Sequence, residues 1–322
     1  MSGTHAVAAI LWTGITLLGS ASVCSQSYPN KPIRIVASAA ASTSDMAARL
    51  VAEGFARRFG QPAVVDNRGT GIIPGEIVSR AAPDGYTLLL GGTVIWLTPF
   101  LQAHAPFDPV KDFVAISLLV TTPNVMAIHP SLPATTVKEF ISLARSKPGA
   151  YNYGSTGSGS SLHVAGELFN AMAGVNIVRV TYKASAQAFT DLFSGRLQLM
   201  FPTAPAGMQN AKSGKLRALA VTSAQPSALA PGLITVAASG LPGYESGSIL
   251  GMFAPARTPA KIVNLLNQEV VSYINTADVK EQFFNAGMET VGSSTREFSG
   301  KIISEMTRMG KVLRDAGIRS QQ

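Results

Sequence analysis

Apolar positions in this chain alternate between the spacing of a buried strand and that of an amphipathic helix. Residues Lys31–Ser38 form an apolar run typical of a buried strand, and Asp45–Phe59 carries apolar residues at helical intervals. Further strand, helix and strand patterns follow at Gln61–Asn67, Pro74–Ala82 and Tyr86–Gly92. This β-α-β-α-β order predicts a parallel sheet with helices packed on its faces.

The alternation continues through the second half of the chain, where two capping boxes mark the starts of helices. Thr136 with Glu139 predicts one start, and Ser294 with Glu297 predicts the start of a last helix reaching about Ala316. Between them, strand patterns lie at Ile177–Tyr182, Leu197–Phe201, Leu216–Thr222 and Ile249–Ala254, and helical ones at Ala186–Phe193, Pro259–Asn275 and Asp278–Asn285. Two α/β lobes joined by crossing strands would enclose a cleft.

The sequence therefore predicts an α/β fold of two domains, each a mostly parallel sheet flanked by helices, with a ligand cleft between the domains. We expect residues 1–25 to be a signal peptide. Residues 26–125 and 250–322 would form a discontinuous first domain, and residues 126–249 would form the second.

A loop of small residues between a strand at Tyr151 and a helix near Ser161 is the strongest candidate for a binding site. Ser155 to Ser160 are all serine, threonine or glycine, so they cannot build a core. Glycines let backbone N–H groups turn inward, and the next helix presents the positive end of its dipole. Such a loop can hold an anion. The alternative interpretation is a plain polar loop before a well-capped helix.

The amino-terminal residues have the pattern of a secretory leader. No Asp, Glu, Lys or Arg precedes Lys31, and the apolar run Ala6–Leu18 is short for a membrane span. We expect cleavage after Ser25 and a periplasmic protein. Lipidation at Cys24 is the less favoured alternative, because valine precedes it. Cys24 is the only cysteine, so the mature chain would form no disulfide.

Composition and motifs argue against several classes of function. Charged residues make up 14% of the chain, and the formal net charge of +8 is scattered, so nucleic-acid binding is not expected. The sequence has no zinc-protease motif, phosphate-binding P-loop, dinucleotide fingerprint or nucleophile elbow. We expect no metal, no cofactor and no catalytic residue. His163 is interpreted as a structural residue that fixes the loop rather than as a base.

Several segments, in order along the chain, together resemble one family, the Bug-type extracytoplasmic solute receptors of tripartite tricarboxylate transporters. The segments are YPNKPIRIV (28–36), APDGYTLLLGGT (82–93), PFDPVKDFVAIS (106–117), KPGAYNYGSTGSGSSLHVAGELF (147–169), TDLFSGRLQLMF (190–201), GKLRALAVTS (214–223), LPGYES (241–246) and GMFAPARTPAKIVNLLN (251–267). The resemblance implies a periplasmic-binding-protein-like fold whose domains close on a small solute, usually a carboxylate.

The resemblance also implies that two loops hold the ligand, and this chain departs from the family in one of them. The family has prolines and glycines between the first strand and helix, whereas here Ser38–Asp45 is rich in alanine and serine, with only Asp45 kept. The hydroxyl groups of this loop could bind ligand or cap the helix that follows, and the Asp45 carboxylate could do either. Trp96 could wall the cleft or pack in the core. The candidate ligand residues are Ser42, Thr43, Ser44, Asp45, Thr93, Ser155, Thr156, Gly157, Ser158, Ser160 and Ser161.

The function expected from this resemblance is that of a periplasmic receptor rather than an enzyme. It would act as a monomer, capture a small carboxylated metabolite and pass it to membrane transporter subunits. Three alternatives stay open: a sensor that reports to a signalling protein, a receptor whose altered first loop takes an uncharged ligand, and a secreted hydrolase. The hydrolase would need His163, Asp45 or a distant group as its base.

Overall fold

The computed structural model describes residues 28–40, 42–69, 71–102 and 104–315. The predicted leader, its cleavage site and Cys24 lie outside these residues. No helix in the described ranges has both the length and the apolar character needed to cross a membrane. The helices are α1 (Thr43–Phe59), α2 (Ile73–Ser79), α3 (Thr93–Leu101), α4 (Val137–Ser146), α5 (Ser161–Ala173), α6 (Ser185–Phe193), α7 (Ala204–Lys212), α8 (Ala260–Ile274), α9 (Ala277–Asn285) and α10 (Thr295–Asp315).

Strands alternate with these helices along the chain and form two sheets. They are β1 (Ile33–Ala37), β2 (Ala63–Asn67), β3 (Thr87–Gly92), β4 (Phe113–Pro123), β5 (Val125–Ile128), β6 (Asn152–Ser155), β7 (Val178–Thr181), β8 (Leu199–Met200), β9 (Arg217–Val221), β10 (Gly247–Pro255) and β11 (Glu289–Thr290). The first sheet has the order β11-β4-β10-β3-β1-β2, and the second has the order β7-β6-β8-β5-β9.

The two-domain α/β fold is confirmed, and both sheets are mixed. β1 runs parallel to β2 and β3, and β6 runs parallel to β7 and β8. β10 is antiparallel to β3 and β4, and β5 is antiparallel to β8 and β9. Each of the antiparallel pairs, including that of β11 with β4, contains a strand that carries the chain from one sheet to the other. The sheets are therefore less parallel than the β-α-β pattern alone suggests.

The chain passes between the sheets twice. β4 ends at Pro123 in the first sheet and β5 begins two residues later in the second, and the chain returns between β9 and β10. The predicted domain limits lie close to these crossings and stay a prediction. Gly247 pairs with Pro123, and a Cβ atom on this glycine would lie 3.0 Å from the Thr122 carbonyl oxygen. A side chain at this position would therefore force the crossing segments apart by a few tenths of an ångström.

The largest apolar cluster is shared by the two sheets. Trp96 is 1% exposed, and its ring centroid lies 6.1 Å from that of Phe298 on α10. Phe169 and Tyr244, from the second sheet's layers, belong to the same cluster, with ring centroids 6.2 Å apart. Of the two roles considered for Trp96, the structure therefore shows core packing.

Candidate functional site

The Ser42 and Ser44 hydroxyls of the first candidate loop are engaged in folding contacts. Ser42 caps α1, because its side-chain oxygen accepts a hydrogen bond from the Asp45 N–H at 3.1 Å. Ser44 is buried and donates its hydroxyl to the Leu90 carbonyl on β3 at 3.1 Å. Thr43 is exposed on the first turn of α1. The loop thus fixes the start of α1 against the sheet.

Asp45 faces the protein interior rather than an open cleft. It is 5% exposed, and its Oδ1 accepts from Asn67 Nδ2 at 3.0 Å and pairs with Arg49 Nε at 3.0 Å. Those bonds join α1 to the end of β2. These contacts are structural, and the ligand-binding role considered for Asp45 stays a prediction.

The second candidate loop, Ser155–Ser161, is fixed by bonds to the helix that follows it. Ser160 caps α5 by accepting from the His163 N–H at 3.3 Å. In return, the Gly159 N–H donates to His163 Nδ1 at 3.1 Å, in a backbone with φ of +81° at Gly159. The interpretation of His163 as the residue that fixes this loop is confirmed. Gly157 and Ser158 at the tip are exposed.

The hydrogen bond from Gly159 also determines which nitrogen of the neutral His163 ring carries the proton. Because Nδ1 accepts, the proton of the neutral ring lies on Nε2, which is buried and has no hydrogen-bond partner among the described residues. Burial lowers the pKa of His163 to about 3, with a further contribution from the charge of Arg179. In this arrangement the lone pair of the His163 ring faces the Gly159 N–H rather than a serine hydroxyl of the loop.

Arg179 is a residue of this region that the sequence analysis did not find. It extends from β7 beneath the loop, where its Nε donates to Ser155 Oγ at 2.7 Å and a terminal nitrogen donates to the Thr156 carbonyl at 2.9 Å. Within the part of the chain that the structure describes, it forms no ion pair. The only signal for it was a charged residue between Val178 and Val180 in a short strand.

The loop therefore combines an uncompensated guanidinium with the positive amino-terminal end of α5. Both features attract an anion, and backbone N–H groups at the exposed tip can reach one. Ser161 joins this end of α5 to the crossing segment, because its Oγ accepts from Asn124 Nδ2 at 3.4 Å.

The same loop lies against the first sheet's α3. A Cβ atom placed on Gly159 would be 2.5 Å from Leu101 Cδ1 and 3.8 Å from Val94 Cγ2. α3 begins at Thr93 directly after β3, and its N-cap, Gly92, provides no side-chain bond to the free N–H groups. Two helix amino termini, those of α3 and α5, thus lie at the boundary between the sheets.

A cavity of about 600 Å³ opens at this boundary. Of the predicted site residues only Thr93 lines it, and the two loops lie at the carboxyl ends of β1 and β6 instead. The lining comes from the crossing segments, from one turn of α5 and from one face of α10: Thr93, Leu118, Thr121, Thr122, Pro123, Val164, Ser223, Glu245, Ser246, Gly247, Ser248, Ile249, Val291, Gly292, Ser293, Glu297, Lys301, Glu305 and Arg308. The contribution of α10 could not be predicted from the sequence, because the polar face of this helix carries no motif.

Comparison with known sequences identifies one family for most of the chain. The model described as "Tripartite tricarboxylate transporter family receptor" matches residues 47–318. The chain is 32% identical over 299 residues to the "UPF0065 protein in tcbD-tcbE intergenic region" of Pseudomonas sp. strain P51, covering 92% of this chain and 89% of that protein. It is 31% identical over 303 residues to the protein BugT of Bordetella pertussis, covering 92% and 93%.

Solved structures agree with this result. The structure titled "R. palustris Rpa4515 with adipate" matches with a TM-score of 0.75 and 33% identity, covering 91% of this chain and 100% of that one. The periplasmic binding protein BugD matches with a TM-score of 0.71 and 28% identity, covering 91% and 100%. MatC from Rhodopseudomonas palustris with bound malate matches with a TM-score of 0.72 and 25% identity, covering 89% and 100%.

Proposed function

The chain belongs to the tripartite tricarboxylate transporter receptor family, and from that premise we propose that it captures a small carboxylated metabolite between its two domains. Closure on the solute would bury it and present a combined surface of both domains to membrane transporter subunits. The amino-terminal leader pattern supports a periplasmic location, as do the relatives described as periplasmic.

The observation that carries this proposal is the cation under the Ser/Gly loop. Arg179 binds Ser155 and Thr156 but no acidic side chain in the described residues, so its charge acts on whatever occupies the loop. A carboxylate there would gain charge-assisted hydrogen bonds from the loop and the end of α5. The similar structures with adipate and malate bound support a dicarboxylate-sized solute.

The contacts of His163 and Asp45 favour a receptor over a hydrolase. The lone pair of His163 Nδ1 accepts from Gly159, and Asp45 is buried in bonds to Asn67 and Arg49. Neither group is free to take a proton from a serine of the loop. The chain is therefore proposed to bind its solute without turning it over.

A thermal-shift screen on the mature chain tests the proposal. Mono-, di- and tricarboxylates are compared with their amides, and a ligand present at about a hundred times its dissociation constant should add roughly 2.7 kcal/mol of stability. We expect one class of carboxylate to raise the melting temperature while its amide does not. Absence of a shift with every carboxylate, in protein that unfolds cooperatively, contradicts the proposal.

Variants of Arg179 then locate the site. Arg179→Gln removes the charge and should weaken carboxylate binding about tenfold or more, as expected when a charged hydrogen-bonding partner is lost. Arg179→Lys keeps the charge and should recover part of the affinity. Arg196→Gln is the matched control, because Arg196 is exposed and pairs with Asp191 on the surface of the second domain. Equal affinity in all three variants would exclude the Ser/Gly loop as the carboxylate site.

A further inference from the structure

We infer that Thr222 is a positioning residue for solute capture, because its buried hydroxyl joins both crossing segments to the second sheet and confines domain closure to two peptide links. The links are Pro123–Asn124 where the chain leaves the first sheet and Ser246–Gly247 where it returns. This inference rests on the proposed function, since it describes how the two domains would close on the solute.

The hydroxyl of Thr222 is shared by the two crossing segments. Thr222 directly follows β9 and is fully buried. Its Oγ1 accepts a hydrogen bond from the Asn124 N–H at 2.8 Å. The Oγ1 atom also lies 2.9 Å from the Asn124 carbonyl oxygen and 2.7 Å from that of Ser246. Since a hydroxyl has one proton to donate, that proton is shared between one acceptor in each segment.

Backbone hydrogen bonds hold the same two residues to the second sheet. The Thr222 N–H donates to the Asn124 carbonyl at 2.9 Å, and the Ser246 N–H donates to the Thr222 carbonyl at 2.9 Å. Asn124 also forms an isolated bridge with Thr203, and β5 begins at the next residue. Asn124 and Ser246 should therefore move together with the second domain.

The ladder of the first sheet ends at the residues next to these two. Pro123 of β4 and Gly247 of β10 pair with each other at the end of that ladder. A rotation between the domains therefore falls on one peptide link in each segment. In the first link, φ of Pro123 is fixed and its ψ is free. In the second, Gly247 has the widest range of φ of any residue type.

Contacts between Glu245 and α10 cross this pivot and limit its range. Glu245 lies just before Ser246, yet its side chain pairs with Lys301 at 2.8 Å and its carbonyl oxygen accepts from Arg308 at 2.6 Å. A lysine side chain is flexible enough to follow a small rotation, whereas a wide one would break both contacts. The pivot therefore suits a closure of small amplitude.

Asn124 connects the Thr222 hydroxyl to the candidate carboxylate site. Its Nδ2 donates to Ser161 Oγ at 3.4 Å and to the Phe201 carbonyl, and Ser161 is the first residue of α5. Loss of the hydroxyl would release Asn124 and let the start of α5 take a wider range of positions relative to the first domain. The apparent affinity for a solute then falls with the fraction of molecules that can bind it.

Calorimetric titration of Thr222 variants tests the role of the hydroxyl. The probe is adipate or, where adipate does not bind, the carboxylate that gives the largest thermal shift. Thr222→Val removes the hydroxyl from a side chain of similar shape and should weaken binding about fivefold or more. Thr222→Ser keeps the hydroxyl and should bind as the unaltered chain does, even if its melting temperature is lower.

Thr258→Val is the matched control for a lost buried hydroxyl. Thr258 is 7% exposed and donates to the Pro255 carbonyl at 2.7 Å, in the first domain and away from the crossing segments. This variant should lose stability without losing affinity. A merely structural role for Thr222 would give the same result in Thr222→Val.

Hydrogen exchange measured by NMR tests the same contacts in the free protein, without any solute. The amide hydrogens of Asn124 and Ser246 should exchange slowly in the unaltered chain. In Thr222→Val they should exchange about tenfold faster relative to those of β1, and in Thr258→Val they should not. Fast exchange of either amide in the unaltered chain overturns the inference, even if Thr222→Val does not fold.

Unchanged affinity in Thr222→Val also overturns the inference, and it leaves the proposed function intact. Binding of no carboxylate in the wider screen overturns the proposed function itself. Hydrogen exchange then decides whether Thr222 holds the two crossing segments.

Discussion

The buried imidazole of His163 makes the stability of this protein depend on pH. Its pKa is lowered to about 3 in the folded chain, chiefly by burial, against an ordinary value of 6.5. Below pH 6.5 the unfolded chain takes up a proton that the folded one refuses, so the free energy of unfolding falls as the pH drops from 6.5 towards 3. The slope from this one group reaches at most about 1.4 kcal/mol per pH unit.

The variant His163→Gln isolates this effect, because glutamine does not titrate. We expect the variant to be less stable than the unaltered chain at pH 7. Its deficit should shrink by roughly 2 kcal/mol between pH 6.5 and pH 5. Chemical denaturation at the two pH values measures both quantities. A deficit that stays constant over this interval would show that the folded chain protonates His163 as readily as the unfolded chain does.

At the scale of residues, the sequence was sufficient to predict hydrogen bonds between residues close together in the chain. It was not sufficient to predict those between strands that are distant in sequence. Ser160 and His163 are three residues apart, so the loop that they fix could be inferred from spacing. Ser44 bonds to Leu90, and Arg179 bonds to Ser155, across strands that are distant in sequence. No local pattern shows that Ser44 is engaged in such a bond, or that a guanidinium lies beneath the Ser/Gly loop.

At the scale of elements, the capping box at the start of α4 gives a direct test of local stabilisation. Thr136 accepts from the Glu139 N–H at 3.2 Å, and Glu139 accepts from the Thr136 N–H at 3.2 Å. Thr136→Ala should lower the free energy of unfolding by about 1 kcal/mol. Urea denaturation measures the change, and carboxylate affinity should not move, because α4 lies outside the candidate site.

Thr190→Ala is the matched control for this prediction. Thr190 is exposed inside α6, where its hydroxyl donates to the Ala186 carbonyl one turn earlier at 3.1 Å. Alanine has the higher helix propensity, so this change should be neutral or slightly stabilising. Equal losses in the two variants would mean that the capping bond at Thr136 contributes nothing to stability.

The elements that the sequence predicted have strong local signals, and α3, one of the two helices that were missed, has weaker ones. Both capping boxes were confirmed, at Thr136 and at Ser294. α3 was missed because it begins directly after β3, has only Gly92 as its cap and contains Pro99. Helix breakers in an apolar run hide a helix whose stability comes from burial in the core. α7 was also missed, although Pro205 near its start is a typical helix signal.

At the scale of the whole molecule, the shared core limits how independently the two domains can behave. The largest apolar cluster includes Trp96, Phe253 and Phe298 from the first sheet's layers and Phe140 and Phe169 from the second's. α10 packs against both α3 and α5. Closure on a solute therefore has to proceed by small shifts around a common core. A wide separation of the domains would expose these rings to water.

The same shared core predicts that the two domains unfold together. Calorimetry of the mature chain should give a single transition whose calorimetric enthalpy equals its van't Hoff enthalpy. Phe298→Ala and Phe140→Ala each empty a fully buried site, one beside each sheet, and each should cost about 3–5 kcal/mol. Because the cluster is continuous, both substitutions should lower the temperature of that one transition. Two resolved transitions, with each variant shifting only one of them, would show instead that each domain has its own core and is free to move as an independent body.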